Sequence, residues 1–433
     1  MINDLSYSQF TALLESKGVK RLYMKYLALN DNSKNQPYLG NDFSAVQVLP
    51  HQDVFSDNNN FKAKLDFYWL DDETNLNLAP NAQLILYPNY PEIRFSGFLK
   101  GAQNPPGNLM NGRISDRVLF FGVCDDDKII GYVTTKHSPL LSEIANLQGL
   151  DETNVLIQLP IQVRVSPKTL LLNQLRRIHD LEWIEAKRLS STGTHDCEGT
   201  NCGGLTLEAE LGIISNSKSE PDYLGYEVKQ YNVRNFNKPG SGPAITLMTP
   251  EPKGGVYKDE GVEVFIRRFG YLSKTINNRM DFSGLHYVNK RHIKTGLTLE
   301  IDGFDRKNSK ITDVNGRIVL KADNEVVAAA WNFADIINHW SRKHNHAVYV
   351  PSKKMKNPGL RYCYGHLVYL AENTDPLLLL KAFADNKVYY DPGIHLDNMS
   401  SHPTTKRRSQ FRINIKNISL LYGNLTQENL LLL

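Results

Sequence analysis

Asp222, Glu227 and Lys229, within "EPDYLGYEVKQY" (residues 220–231), are the residue types of a hydrolytic phosphate centre. If residues 226–231 form a strand, alternation sends Glu227 and Lys229 to one face and Tyr226, Val228 and Gln230 to the other. Asp222 comes just before, at the turn made by Pro221 and Gly225. Two carboxylates converging on a strand end are hard oxygen ligands suited to Mg²⁺. An ammonium on the same face can orient or activate a water and offset charge building on a phosphate. That is the arrangement for metal-assisted phosphodiester hydrolysis. Glu208, on a helix predicted to begin near Leu205, can complete the metal shell, whereas Glu210, two residues further on, points elsewhere. Asp-x4-Glu-x-Lys is a degenerate pattern, and a turn followed by a half-exposed strand produces it equally well.

The elements that must position these residues are read from the rest of the chain. Its 433 residues exceed one typical core, and the pattern divides them into residues 1–166 and 167–433. With 41% hydrophobic and 22% charged residues, the composition is that of an ordinary globular protein. A net charge of +4 neither requires nor excludes a polyanionic partner, since local clustering of Lys and Arg decides that. No apolar run is long enough to cross a bilayer, and the start has no basic-then-apolar leader pattern. Four cysteines do not make a disulfide framework, which points to a reducing, cytoplasmic setting. Cys197 and Cys202 lack a second ligand pair for zinc, because Cys124 and Cys363 are isolated; they read as thiols in a Gly-rich loop.

A short helix over Ser8–Ser16 opens the first part, followed by strands in "KAKLDFYWL", "AQLILYP", "EIRFSGFL", "RVLFFGV" and "IIGYVTT". Many short strands separated by Pro, Gly, Asn and Asp predict a small barrel or sandwich. Near Pro167 the pattern turns helical, with Leu170, Leu171, Leu175, Ile178 and Leu181 at helical spacing. Beyond it, "GYEVKQYNV", "EVFIRRFGYLS", "GLTLEIDGF" and "GRIVLKA" read as strands, and "EVVAAAWNFADIINHWSRKH" as one amphipathic helix with Trp331, Phe333 and Trp340 in the core. Mixed order of this kind predicts an α/β or α+β domain. The scattered histidines, His286, His339 and His344 among them, receive no role.

A resemblance sharpens the reading. "WIEAKRLSSTGTHDCEGTNCGGLTLEAELGIISNSKSEPDYLGYEVKQY" resembles the catalytic core of the MvaI/BcnI-type restriction endonucleases, relatives of the nickase MutH in the PD-(D/E)xK nuclease superfamily. The matching elements are Trp183, Glu185, Lys187 and Arg188, then Gly193, Glu208, Pro221, Asp222, Glu227 and Lys229. The closing segment "DPGIHLDNMSSHPTTKRRSQFRINIKNISLLYG" is similar as well, while residues 255–385 match only loosely. The resemblance implies a restriction-endonuclease-like α/β core with a mixed sheet and flanking helices. It implies Asp222 and Glu227 as Mg²⁺ ligands, Lys229 as the residue orienting water and phosphate, and Glu208 as a supporting carboxylate. Lys187 and Arg188 would lie at the DNA backbone near the site. Arg412 matches a base-reading position, where a guanidinium fork can bond guanine O6 and N7 together. The loop before it is "NMSSHPTTKRR" where the family has Lys, Gly and His, so His395, His402, Lys406, Arg407 and Arg408 are candidate DNA contacts.

The same resemblance implies a type II enzyme cutting double-stranded DNA at a short GC-rich site of the CCNGG kind. It would leave 5′-phosphate ends, act as a monomer, and have a companion DNA methyltransferase specific for the same site. Residues 1–166 are weakly similar to B3-like effector domains, open pseudobarrels that hold DNA with loops. Lys20, Arg21, Lys25, Asn30, Asn32, Lys34 and Asn35 are the contacts that similarity implies; a stability or protein-interaction module fits the pattern equally. The rivals are a MutH-like nickase, a methylation-dependent nuclease and a catalytically silent DNA-binding protein.

Overall fold

Phe120 and Phe121 are neighbours in a strand, so they must point to opposite faces, and both faces are covered. The structure, a computed structural model, describes residues 2–29, 36–112, 116–135, 137–161, 166–214 and 221–433. The chain divides into two units, Met1–Val165 and Ser166–Leu433. In the first, a seven-stranded sheet contains Arg117–Cys124 between Val19–Leu27 and Ile129–Thr135. Phe121 packs on Phe95 of a five-stranded second sheet, ring centroids 5.5 Å apart. Phe120 packs on Phe10 of the Tyr7–Ser16 helix at 5.2 Å.

Of the two forms expected, the sandwich is found and the closed barrel is not. Two open sheets lie face to face, because the larger one is buried on both sides, by the aromatic layer and by the helices. "KAKLDFYWL" correspondingly breaks into Asn60–Lys64 and Phe67–Leu70, one in each sheet. Lys20 and Arg21 are exposed. Lys25 is 7% exposed, its Nζ 6.0 Å from the Tyr38 ring centroid, so it is not presented to a partner as the similarity implied. Asn30, Asn32, Lys34 and Asn35 lie outside the described residues.

The second unit opens with helix α1 (Pro167–Asp180). Ser166 caps it by accepting from the Thr169 amide, and Pro167 stands where a helix tolerates it. Leu171, Leu172, Leu175 and Ile178 form its buried stripe, while Leu170 and Leu181 are 41% and 47% exposed, against the expected pattern. A hairpin, Lys187–Ser190 with Gly193–Asp196, leads to helix α2 (Cys202–Glu210), which begins three residues earlier than expected. Cys197 and Cys202 are joined by a disulfide rather than left as thiols. The loop between them brings their Cα atoms to 5.7 Å, a separation that the bond spans without backbone movement.

The central sheet is mixed. Strand β1 (Tyr226–Asn232) pairs in parallel with strand β2 (His346–Met355), whose other side is covered antiparallel by Arg361–Tyr364 and Leu367–Thr374. Tyr422–Asn429 extends the sheet beyond Leu367–Thr374. A separate three-stranded sheet, in the order Ala244–Met248, Phe411–Asn414, Val388–Tyr390, carries Arg412 on its middle strand.

Two readings of the middle segment are corrected. "EVFIRRFGYLS" is a helix over Val262–Phe269, whose buried Val262, Phe265, Ile266 and Phe269 follow helical spacing. "EVVAAAWNFADIINHWSRKH" is a strand, Val327–Asn332, followed by helix α3 (Phe333–Lys343). The Val-Ala-Ala-Ala-Trp run is buried within a sheet, which apolar periodicity alone does not distinguish from a buried helix. Trp331, Phe333 and Trp340 are core residues, at most 1% exposed. No described helix is long and apolar enough to cross a membrane.

Candidate active site

The turn Tyr223–Tyr226 sets the geometry. Leu224 and Gly225 both have positive φ, 49° and 85°, the backbone of a two-residue type I′ reversal. A bulky residue such as Leu224 adopts that region only under strain. Tyr223 and Tyr226 exchange backbone hydrogen bonds of 3.0 and 2.8 Å across the turn. The reversal folds Asp222 back on the start of β1, where its Oδ2 accepts from the Val228 amide at 2.9 Å.

Along β1, Tyr226 and Val228 join the core and Glu227 and Lys229 share the other face. Lys229 Nζ lies 2.5 Å from Glu227 Oε1. Glu227 is 1% exposed, and its second oxygen, Oε2, is buried without any hydrogen-bond partner. A buried lone pair left open in this way is costly unless another group arrives to use it.

Glu208 reaches the same place from α2. The helix can lie close on β1 because Gly203 has no side chain; a Cβ there would come within 2.7 Å of Gln230 Oε1. Burial raises the Glu208 pKa, with the Lys229 charge opposing and the Glu227 charge adding to it. Asp222 is pushed up to about 7, first by burial and then by the neighbouring Glu227 charge. Burial would raise Glu227 too, but Lys229, then His344 and Lys343, outweigh it and hold this carboxyl well below the usual range. Burial would lower Lys229, yet Glu227, Asp222 and Glu208 together keep it raised and charged. Four groups therefore form one electrostatic unit, in which Glu227 stays ionised and Asp222 is poised near neutrality.

Two further residues face this unit and were assigned nothing from sequence. Lys343, the last residue of α3, places Nζ 3.8 Å from Glu227 Oε1. His339, one helical turn earlier, is lowered to about 4 by burial and then by Lys343. Their only sequence signal is basic character just before a strand that pairs in parallel with β1. The adjacent His344 is fully buried and stacks on Trp340. Its Nε2 donates to the Leu247 carbonyl at 3.1 Å, which leaves Nδ1 to accept from the Tyr422 hydroxyl at 3.2 Å. Leu247 occupies a bulge opposite Phe411 and Arg412, so its carbonyl is available to His344.

The remaining expected contacts have other partners than Asp222, Glu227 and Glu208, or lie exposed. Lys187 Nζ is 2.5 Å from Glu210 Oε1, and Arg188 is exposed on the hairpin opposite His195. Arg412 spends its fork internally, Nη1 on Asp391 at 2.7 Å and Nη2 on the Ala244 carbonyl at 2.6 Å. His402, Lys406, Arg407 and Arg408 are exposed, Lys406 on a short strand opposite His395.

Among the described residues no three His, Cys, Asp or Glu side chains are gathered into a ready metal cluster. Two carboxylates with one open oxygen nevertheless suit Mg²⁺, which commonly takes one or two carboxylates and completes its shell with water and substrate oxygens.

The sequence model of the MvaI/BcnI restriction endonuclease family matches residues 172–422, more than half of the chain. The solved structure of restriction endonuclease MvaI in complex with cognate DNA is 18% identical, with a TM-score of 0.46, covering 61% of this chain and 99% of that one. The same enzyme in the absence of DNA is 17% identical, with a TM-score of 0.34, covering 62% and 99%. Among curated proteins nothing matches.

Proposed function

Because the chain belongs to the MvaI/BcnI restriction endonuclease family, we propose that Asp222, Glu227 and Lys229 carry out Mg²⁺-dependent, sequence-specific hydrolysis of phosphodiesters in double-stranded DNA. One observation carries this reading: the buried, unpartnered Glu227 Oε2, beside an Asp222 held near neutrality and a Lys229 held charged. Asp222 and Glu227 would hold the cation, and Glu208 would support them from α2. The bound cation supplies Lewis acidity at the scissile phosphate and eases deprotonation of the attacking water. Lys229 orients that water and, with Lys343, offsets the charge that builds on phosphate oxygens. Asp222 must be deprotonated to serve as a ligand, and its raised pKa means that a cation and a proton compete for it.

In this reading the ends carry 5′-phosphates and the target is a short CCNGG-like site. Lys187, Arg188, His402, Lys406, Arg407 and Arg408 meet the backbone. Arg412 reads a base after exchanging Asp391 and the Ala244 carbonyl for it. The enzyme works as a cytoplasmic monomer beside a methyltransferase of the same specificity, and the N-terminal unit contributes DNA contacts.

The test is incubation of purified protein with methylated and unmethylated plasmid and Mg²⁺. Fragments of fixed size from unmethylated plasmid are expected. Nicked circles would instead favour a nickase, and cutting confined to methylated plasmid a methylation-dependent enzyme. No cleavage of either substrate would defeat the nuclease reading.

A further inference from the structure

Ile293 is 92% exposed at the tip of the sequence "NKRHIKTG", between Arg291 and Lys294. A single exposed apolar residue ordinarily calls for no explanation. Here the loop beneath it is braced. His286, with no exposed surface, bonds through Nε2 to Thr295 Oγ1 at 3.0 Å, and His292 Nδ1 meets the same hydroxyl at 3.1 Å. The two imidazoles lie with ring centroids 4.4 Å apart, tilted by 32°. Gly284, at φ +115°, lets His292 approach so closely that a Cβ there would be 2.4 Å from its Nε2. On the far side the loop is tied to the strand Thr298–Asp302 through the Asn289 amide and the Leu299 carbonyl at 2.8 Å. Holding a loop this firmly does nothing for the isoleucine, which touches solvent.

The loop stem also has a defined address. His286 and Tyr390 exchange backbone hydrogen bonds of 2.8 and 3.1 Å. Tyr287 packs on Tyr389 at 5.1 Å, and Tyr389 lies opposite Arg412 in the neighbouring strand. The Ile293 loop therefore springs from the edge of the Arg412 sheet, one strand removed from it. Lys290 and Lys294 flank the tip, their ammonium groups over the rings of Tyr287 and Tyr271 at 5.5 and 4.7 Å. An apolar point between two fixed cations is complementary to a groove of duplex DNA, with phosphates on either side and base edges between.

We propose that duplex DNA receives Ile293 in a groove, its side chain against the bases and Lys290 and Lys294 on the flanking phosphates. This rests on the nuclease reading above and adds a contact outside the segments to which that reading assigns DNA. The test measures binding of a duplex fragment carrying one mapped cut site, with Ca²⁺ replacing Mg²⁺, over a range of salt. Ile293→Ser is expected to weaken binding roughly tenfold, the cost of one lost groove contact, with an unchanged salt slope. Lys290→Ala and Lys294→Ala should each reduce the slope by about 0.9, the signature of one phosphate. Ile293→Leu should restore affinity, and all four variants should melt with the wild type, since the altered side chains lie at the surface. If Ile293→Ser binds within about twofold of wild type, or Ile293→Leu is as weak as Ile293→Ser, the proposal is overturned. A wild-type protein that neither binds nor cuts DNA would instead bring down the nuclease reading itself.

Discussion

Each unit buries a charge to the same depth and holds it in the opposite way. Arg117, in the N-terminal unit, is 1% exposed, and its guanidinium donates to the carbonyls of Leu109, Met110 and Ala28. Glu227, in the other unit, is also 1% exposed, but it faces two lysines; each group leaves one buried polar atom unpaired, Arg117 Nε and Glu227 Oε2. Neutral carbonyls pin a cation that has only to stay where it is. Ammonium groups, themselves ionic, hold an anion that can exchange partners. Depth of burial is thus no guide to function; what surrounds the charge is.

The largest expected effect tests the Glu227 side of this contrast. Asp222→Ala should reduce plasmid cleavage by about a thousandfold or more while leaving DNA affinity intact, because the lost group stabilises the reaction rather than the complex. Single-turnover cleavage and a binding isotherm separate the two, and a variant cutting at the normal rate would remove Asp222 from the site. On the other side, Arg117→Met should leave three carbonyls without their donor and cost about 3 kcal/mol in urea unfolding. Cleavage by the folded fraction should be unchanged. Were it to fall as steeply as in Asp222→Ala, the division into a structural and a reactive charge would not stand.

Lys343→Gln probes the second ammonium, and a loss of about tenfold in the cleavage step is expected, with little change in DNA affinity. The smallest effect is on stability. Asp222 has a raised pKa when folded, so at mildly acid pH the folded chain binds a proton that the unfolded chain does not. That stabilisation is present below the ordinary carboxylate value and is lost as pH rises through about 7. In metal-free protein, the melting temperature of wild type should therefore fall relative to Asp222→Asn between about pH 5 and pH 8. A constant difference would mean that Asp222 is not raised.

The parts of the site that sequence exposes are those packed into one local element. Asp222, Glu227 and Lys229 stand within eight residues, and a turn and a strand suffice to relate them. Glu208 needed only the next helix. Lys343 lies 114 positions beyond Lys229, and nothing local marks it; it arrives because β2 returns alongside β1. Arg412 was legible as a type at a position, but not the Asp391 and Ala244 groups that occupy its fork, since one comes from the loop after the Val388–Tyr390 strand and the other from the strand Ala244–Met248. The Cys197–Cys202 disulfide was missed because spacing says nothing about how a loop turns back on itself. The N-terminal strands were found in most cases, yet their pattern left barrel and sandwich both open, since it does not reveal what covers a strand's second face.

The parallel pairing of β1 with β2 has a kinetic consequence. Tyr226 lies opposite His346, so the two strands that build the site are separated by 120 positions of chain. Closing so long an excursion costs only slightly more entropy than closing a shorter one, but the cost falls before any pairing offsets it. The intervening elements must collapse first to bring the strands together. Cleavage competence should accordingly appear late in refolding, after most of the helical signal has returned.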